Sequence, residues 1–142
     1  MLLGHYIGRV GEKGRVALPA SFRRVLGKQV VVARWYEKCL TVVAQEEWEK
    51  LVGGLGQQRL VAAGRDTDRF LLSGAFEIEL DEQGRFVVPQ ALREYANLED
   101  EVVFAGVGVR VELWDRRAWE EYQKGLVERA PEMIEELAGE NG

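Results

Sequence analysis

The sequence predicts an α+β, β-rich fold: two tandem copies of one β-β-α-β-β-α unit, paired about a pseudo-two-fold axis into an intertwined β-barrel with short helices. Three observations carry this. Gly11-Glu12-Lys13-Gly14-Arg15, followed by Val16-Ala17-Leu18-Pro19, returns seventy residues later as Asp81-Glu82-Gln83-Gly84-Arg85, followed by Phe86-Val87-Val88-Pro89. The same shift aligns Gly4 with Gly74, Tyr6 with Phe76 and Arg23 with Arg93, and a shift of seventy-one aligns Trp48 with Trp119, so a whole unit is repeated. Each copy is too small to bury its own apolar faces well, so the two should share one core.

The elements follow in order. Tyr6 to Val10 is a short mixed strand, and a tight turn leads to a second strand from Arg15 to Leu18. In the second copy Asp81 at the first turn position and Gly84 at the fourth leave a Glu82-Gln83-Gly84 loop with its glycine left-handed, so Asp81 faces Arg85. The same frame puts Gly11 opposite Arg15, which lacks the carboxylate its twin possesses. Pro19 and Pro89 suit the first position of a helix. Those helices end at Gly27 and Asn97, the residue types that best tolerate a left-handed cap.

Gln29 to Trp35 is rich in β-branched residues, Tyr36-Glu37-Lys38 turns the chain, and Cys39 to Val43 returns. A short helix containing Trp48 closes the unit. Gly53, Gly54 and Gly56 mark a connector, and Asp66 with Asp68 suits the cap and first turn of a helix carrying Phe70, Leu71 and Leu72. In the second copy Val109, Val111 and Leu113 alternate with Arg110 and Glu112 as in a half-buried strand. Asp115 can cap the helix of Trp119, Gly125 should interrupt it, and Pro131 should open a final acidic helix through Leu137. The expected units are 3–52, a connector 53–73, 74–125, and an acidic tail 126–142.

The net charge of −5 hides a segregation. Residues 1–36 hold Arg9, Lys13, Arg15, Arg23, Arg24, Lys28 and Arg34 against Glu12 alone, a local charge of +6, whereas residues 37–142 hold 12 basic and 23 acidic groups, or −11. One end of an acidic protein is strongly basic. The lone Cys39 cannot form an internal disulfide and no charged-then-apolar leader begins the chain, so a cytoplasmic location is expected. The apolar runs are too short to span a membrane.

The turn ending in Lys13-Gly14-Arg15, the run Val16-Ala17-Leu18-Pro19, the following Phe22-Arg23 and the lead Leu72-Ser73-Gly74-Ala75 into the second copy resemble the MraZ family over residues 3–125. The resemblance implies two SpoVT-AbrB-type swapped-hairpin (AbrB-like) domains in one chain. The family motif is an Asp, three residues and an Arg in each half; Asp81 and Arg85 satisfy it, and Gly11 stands where the first aspartate is expected. The resemblance further implies a ring-shaped homo-oligomer associated with the nucleoid. Such a regulator binds tandem short DNA repeats upstream of the cell-division and cell-wall gene cluster, usually repressing it.

Lys13, Arg15, Arg9, Arg23 and Arg24, with Lys28 and Arg34 nearby in sequence and little acid, suggest a face for double-stranded DNA, since arginine's planar fork suits guanine or phosphate and a β-ribbon can enter the major groove. Arg15 is the leading candidate. Asp81 with Arg85 suggests first a cross-strand pair fixing its turn, and Arg85 is a second candidate for base contact. Trp35, Trp48, Trp114 and Trp119 suit core or subunit contacts better than base stacking. His5 and Cys39 are solitary, which argues against a metal set or a nucleophile and base. No cofactor, small-molecule substrate or enzymatic activity is expected. The competing readings are an antitoxin-like swapped-hairpin module and a structural oligomer without a DNA role.

Overall fold

A computed structural model describes residues 1–53 and 61–141 of the chain. The first copy holds β1 (His5–Arg9), β2 (Arg15–Ala17), α1 (Ala20–Leu26), β3 (Gln29–Arg34), β4 (Leu40–Ala44) and α2 (Gln45–Val52). After α3 (Ala62–Ser73), the second copy gives β5 (Ala75–Glu79), β6 (Arg85–Val87), α4 (Gln90–Ala96), β7 (Glu101–Gly106), β8 (Val111–Asp115) and α5 (Arg116–Asn141). Gly54 and Gly56 of the expected connector lie outside the described residues.

The hairpin arms do not pair with each other. Beyond the turn bonds from Gly11 N to Arg15 O (2.7 Å) and from Asp81 N to Arg85 O (3.0 Å), each arm finds its partner in the other copy. β1 runs antiparallel to β7, β5 to β3, and β2 to β6. The larger sheet has the order β1-β7-β8-β4-β3-β5, which becomes its own reverse when the copies are exchanged. That palindrome is the pseudo-two-fold written as topology. It runs between Val16 and Phe86 in the ribbon and between Thr41 and Glu112 in the sheet, where repeat equivalents face each other.

The exchange gives one shared core. Val16 and Phe86 from the ribbon lie in the same buried cluster as Val30 and Val42 of the first copy and Val102 and Leu113 of the second, with Phe22 and Leu92 from the paired helices. Each such side chain contributes about 1.5 to 3 kcal/mol by leaving water, so neither half retains its core without the other. Gly8 stands where a Cβ would come within 3.1 Å of the Phe104 ring, which lets that ring lie against β1.

Several expectations hold at the level of single residues. Gly27 (φ 77°) and Asn97 (φ 54°) close α1 and α4 in positive-φ conformations, and Ala118 N donates to Asp115 Oδ2 at 3.1 Å at the head of α5. Pro19 and Pro89 do not take the expected first helical position: each stands one residue earlier, at the N-cap, with φ of −53° and −52° but extended ψ of 140° and 141°.

Three further expectations are corrected. Val109 is not in a strand, because a turn closed by Val107 N on Arg110 O (3.0 Å), with Gly108 at φ 93°, takes up those residues. α3 begins at Ala62, so Asp66 lies within it and pairs with Arg69 at 2.7 Å instead of capping it. α5 runs unbroken from Arg116 to Asn141 through Gly125 and Pro131. A glycine costs a helix only about 1 kcal/mol and the proline about 3, which the surrounding Glu, Leu, Met and Ala residues offset by favouring helix.

Candidate nucleic-acid interface

The ribbon of β2 and β6 alternates strictly. Val16 and Phe86 point into the core, so Arg15, Ala17, Arg85 and Val87 share the exposed outer face. In the pairing Arg15 lies opposite Val87 and Arg85 opposite Ala17, so two arginines seventy residues apart stand diagonally on one two-stranded surface. Period-2 geometry fixes this: a one-residue slip of β6 would bury Arg85 and expose Phe86, and a slip of β2 would bury Arg15 and expose Val16. Leu18 N donates to Gly84 O and Val88 N to Gly14 O, both at 2.9 Å, tying each turn to the strand of the other copy.

The two turns are built differently. In the second, Asp81 Oδ1 accepts from Gln83 N (2.9 Å) and Arg85 N (2.8 Å), while Oδ2 accepts from Arg85 Nε at 2.8 Å. Those donors, the Arg85 backbone N–H foremost, hold the Asp81 carboxyl below the usual carboxylate range. In the first turn Gly11 has no side chain to offer, and Lys13 adopts a left-handed conformation at φ 60° beside Gly14 at φ 81°. Gln83, its repeat equivalent, does not have positive φ. Lys13 is thereby carried on an exposed turn tip next to Arg15.

The remaining candidates divide. Arg23 is half-buried: its Cδ lies 2.7 Å from where a Cβ on Gly84 would stand, so it packs beneath the turn of the other copy. Arg93 does the same beneath Gly14 and donates from Nε to Val88 O at 3.0 Å. Arg9 is exposed on β1 and pairs with Asp100 at 3.2 Å and Glu101 at 3.9 Å. Arg24 is exposed in the last turn of α1.

Of the other two cations in the basic segment, Arg34 is turned to α3, where Nε and Nη2 donate to Phe70 O at 2.9 and 2.7 Å, and Lys28 is exposed. For Lys28 the setting is the ribbon. Its carbonyl accepts from Leu80 N at 2.8 Å, and it lines a shallow concavity with Arg15, Arg85, Glu79, Asp81 and Glu82. Membership of the basic segment is its only sequence signal, because its closeness to residue 80 comes from the strand exchange. Positive and negative side chains balance in that concavity. The excess positive charge lies toward Lys13 and Arg15, beside a single Glu12.

The solitary groups have structural surroundings. Cys39 is buried and donates from Sγ to Tyr36 O at 3.2 Å; burial first, then Glu112 and Glu37, pushes its thiol pKa up and makes it a poor nucleophile. His5 lies against Trp119, ring centres 5.8 Å apart. Among the described residues no three His, Cys, Asp or Glu side chains gather as a metal site would require, and no helix is long and apolar enough to cross a membrane.

Two fused copies that exchange hairpin arms, with an arginine-bearing ribbon on the outside, define a swapped-hairpin pseudo-dimer contained in one chain. The family model described as "MraZ protein, putative antitoxin-like" matches residues 1–69 and 71–136, and the chain belongs to that family. Proteins named transcriptional regulator MraZ are similar to it over nearly their whole length. Those of Caldanaerobacter subterraneus subsp. tengcongensis and Thermoanaerobacter sp. (strain X514) are each 41% identical over 96% of this chain and 96% of theirs. That of Bifidobacterium longum is 40% identical over 96% of this chain and 95% of its own. These are names of regulators and not of enzymes.

Proposed function

We propose that this protein is a DNA-binding transcriptional regulator that presents the outer face of the β2–β6 ribbon to the major groove of double-stranded DNA. One observation carries the reading: Arg15 and Arg85 project from the same face of a ribbon whose other face is anchored in the core. A two-stranded ribbon fits a groove about 12 Å wide, and the arginine fork can bond guanine O6 and N7 together or a phosphate. Arg15 and Lys13 meet the DNA first, Arg85 and Lys28 support them, and Arg9, Arg23 and Arg24 add to the local positive field.

In the finer reading the protein is cytoplasmic and nucleoid-associated, and a ring of subunits engages tandem short repeats upstream of the cell-division and cell-wall gene cluster as a repressor. A single small ribbon binds weakly, and several held in one assembly raise the effective concentration of each for its neighbouring repeat. Footprinting on the DNA upstream of the protein's own gene tests this. Protection at regularly spaced short repeats is the expected result, and uniform or absent protection overturns it. The words "antitoxin-like" in the family description favour a second reading, which co-purification of a small toxin would support.

A further inference from the structure

The two turns of the ribbon are braced from different sources. In the second turn the Asp81 side chain accepts from Gln83 N and from Arg85 N and Nε, so that turn is held from within. The first turn has only its own backbone bonds, Gly11 N to Arg15 O at 2.7 Å and Gly14 N to Gly11 O at 3.2 Å. Yet it is the turn that carries Lys13 and Arg15. Whatever else fixes its tip comes from the other copy.

That support converges on Gly14, which is buried. Its carbonyl accepts from Val88 N at 2.9 Å, and the carbonyl of Val88 accepts in turn from Arg93 Nε at 3.0 Å. The Arg93 guanidinium also fills the space over Gly14: a Cβ there would lie 2.5 Å from Nε and 2.6 Å from Cζ, so glycine alone leaves room for it. Arg93 is well anchored, because Leu92 and Ala96 fix α4 in the core on either side of it. Its repeat equivalent is used differently. Arg23 packs beneath Gly84, but among the described residues its guanidinium makes no hydrogen bond or ion pair.

We infer that Arg93 is a positioning residue for DNA binding: from the second copy it holds the tip of the first turn, so that Lys13 and Arg15 meet the groove already ordered. The inference rests on the ribbon interface proposed above and adds to it a residue that acts through Val88 and Gly14. The brace supplies across the pseudo-two-fold what Gly11 cannot supply locally. A tip held in its bound form loses little backbone freedom on binding, and that saving appears as affinity. Charge is not the means, since the Nε bond and the flat packing over Gly14 belong to arginine's planar fork and lysine cannot reproduce them.

The test compares full-length Arg93→Ala and Arg93→Lys with the unaltered protein, at a temperature where melting curves show all three folded. The probe is a fragment of the DNA upstream of the protein's own gene. Hydrogen–deuterium exchange should quicken around Lys13 and Gly14 in both variants and stay unchanged around Gln83 and Gly84, which Asp81 holds. Affinity for the fragment should fall about tenfold in both, the cost of ordering about one residue's backbone on binding, with the slope of log K against log salt unaltered. A fragment that the unaltered protein does not bind overturns the DNA reading and this role together. Unchanged exchange at the first turn, or quickened exchange with unchanged affinity, overturns the role of Arg93 and leaves the ribbon interface standing. So does full affinity in Arg93→Lys beside a flattened salt slope in Arg93→Ala, which would make Arg93 a phosphate contact.

Discussion

Asp81 holds Arg85 twice and Gln83 once: one carboxylate oxygen accepts the Arg85 backbone N–H at 2.8 Å and that of Gln83 at 2.9 Å, and the other accepts Arg85 Nε at 2.8 Å. The residue is a turn builder at least as much as a salt-bridge partner. Its carboxyl is held below the ordinary range chiefly by the Arg85 backbone N–H. A carboxylate with a depressed folded-state pKa stabilises the fold above its unfolded value, near 4, and loses that contribution as pH falls through the folded value. The melting temperature of Asp81→Ala should lie below that of the unaltered protein at pH 7, and the gap should narrow below pH 4. A gap independent of pH would show that the ionised carboxylate is not what holds the turn.

The first turn lacks this device, and its backbone records the loss in Lys13 at φ 60°. A left-handed conformation costs a residue with a Cβ about 1 to 2 kcal/mol. Gly11 itself sits at φ −84°, ψ −166°, open to any residue, and a Cβ there would lie 3.4 Å from Arg15 O. Gly11→Asp should therefore rebuild the turn in the form of its twin, raise the melting temperature by a few degrees, and weaken DNA binding by drawing Arg15 into a pair. A variant that is both more stable and unchanged in DNA affinity would separate turn architecture from binding.

Arg23 and Gly84 are coupled across the copies. Gly84→Ala places a Cβ 2.7 Å from Arg23 Cδ and forces alanine to φ 76°, so two costs add. Removing the arginine relieves only the steric one. In a double-mutant cycle measured by denaturant unfolding, Gly84→Ala should destabilise by about 2 kcal/mol alone and by about 1 kcal/mol in an Arg23→Ala background. Strict additivity would mean that Arg23 swings freely and does not support the turn.

What can be read from the sequence is whatever is local. The turn at Asp81, the caps at Gly27, Asn97 and Asp115, and the repeat that implies intertwining all depend on neighbours within a few residues or on simple self-similarity. Strand partners cannot be read, because β1 offers the same hydrogen bonds to its own hairpin arm as to β7. Its exchange with β7 is settled by where Val16 and Phe86 find a common core. The consequence for the site is large: Arg15 and Arg85 read as separate hairpins in sequence and stand on one ribbon in the fold. The unbroken α5 escapes the sequence because Gly125 and Pro131 are breakers by local rule, and local rules do not add up the helix-favouring residues on either side of them.

The two arginines of that ribbon are unequal, and their inequality offers the most direct test of the proposed interface. Both line the concavity with Glu79 and Glu82, but Arg85 is held by the Asp81 carboxylate, whereas Arg15 makes no ion pair within 4.0 Å among the described residues and Lys13 stands beside it. To reach a base or a phosphate Arg85 must share or surrender its partner, whereas Arg15 surrenders only water. An arginine bidentate to guanine carries about 1 to 3 kcal/mol of discrimination, so Arg15→Ala should weaken operator binding by roughly ten- to a hundredfold. Arg85→Ala should weaken it by less and lower the melting temperature by more, with Lys13→Ala between the two in affinity. Salt dependence gives a second measure. Each phosphate that a bound cation neutralises steepens the fall of log K with log salt by about 0.9, so Lys13→Ala should flatten that slope by about the same amount. Titrating the three variants on one operator fragment over a range of salt, with melting curves alongside, decides it. Equal losses at Arg15 and Arg85 in folded protein would mean that the ribbon reads DNA symmetrically and that the aspartate missing at residue 11 does not set which half leads.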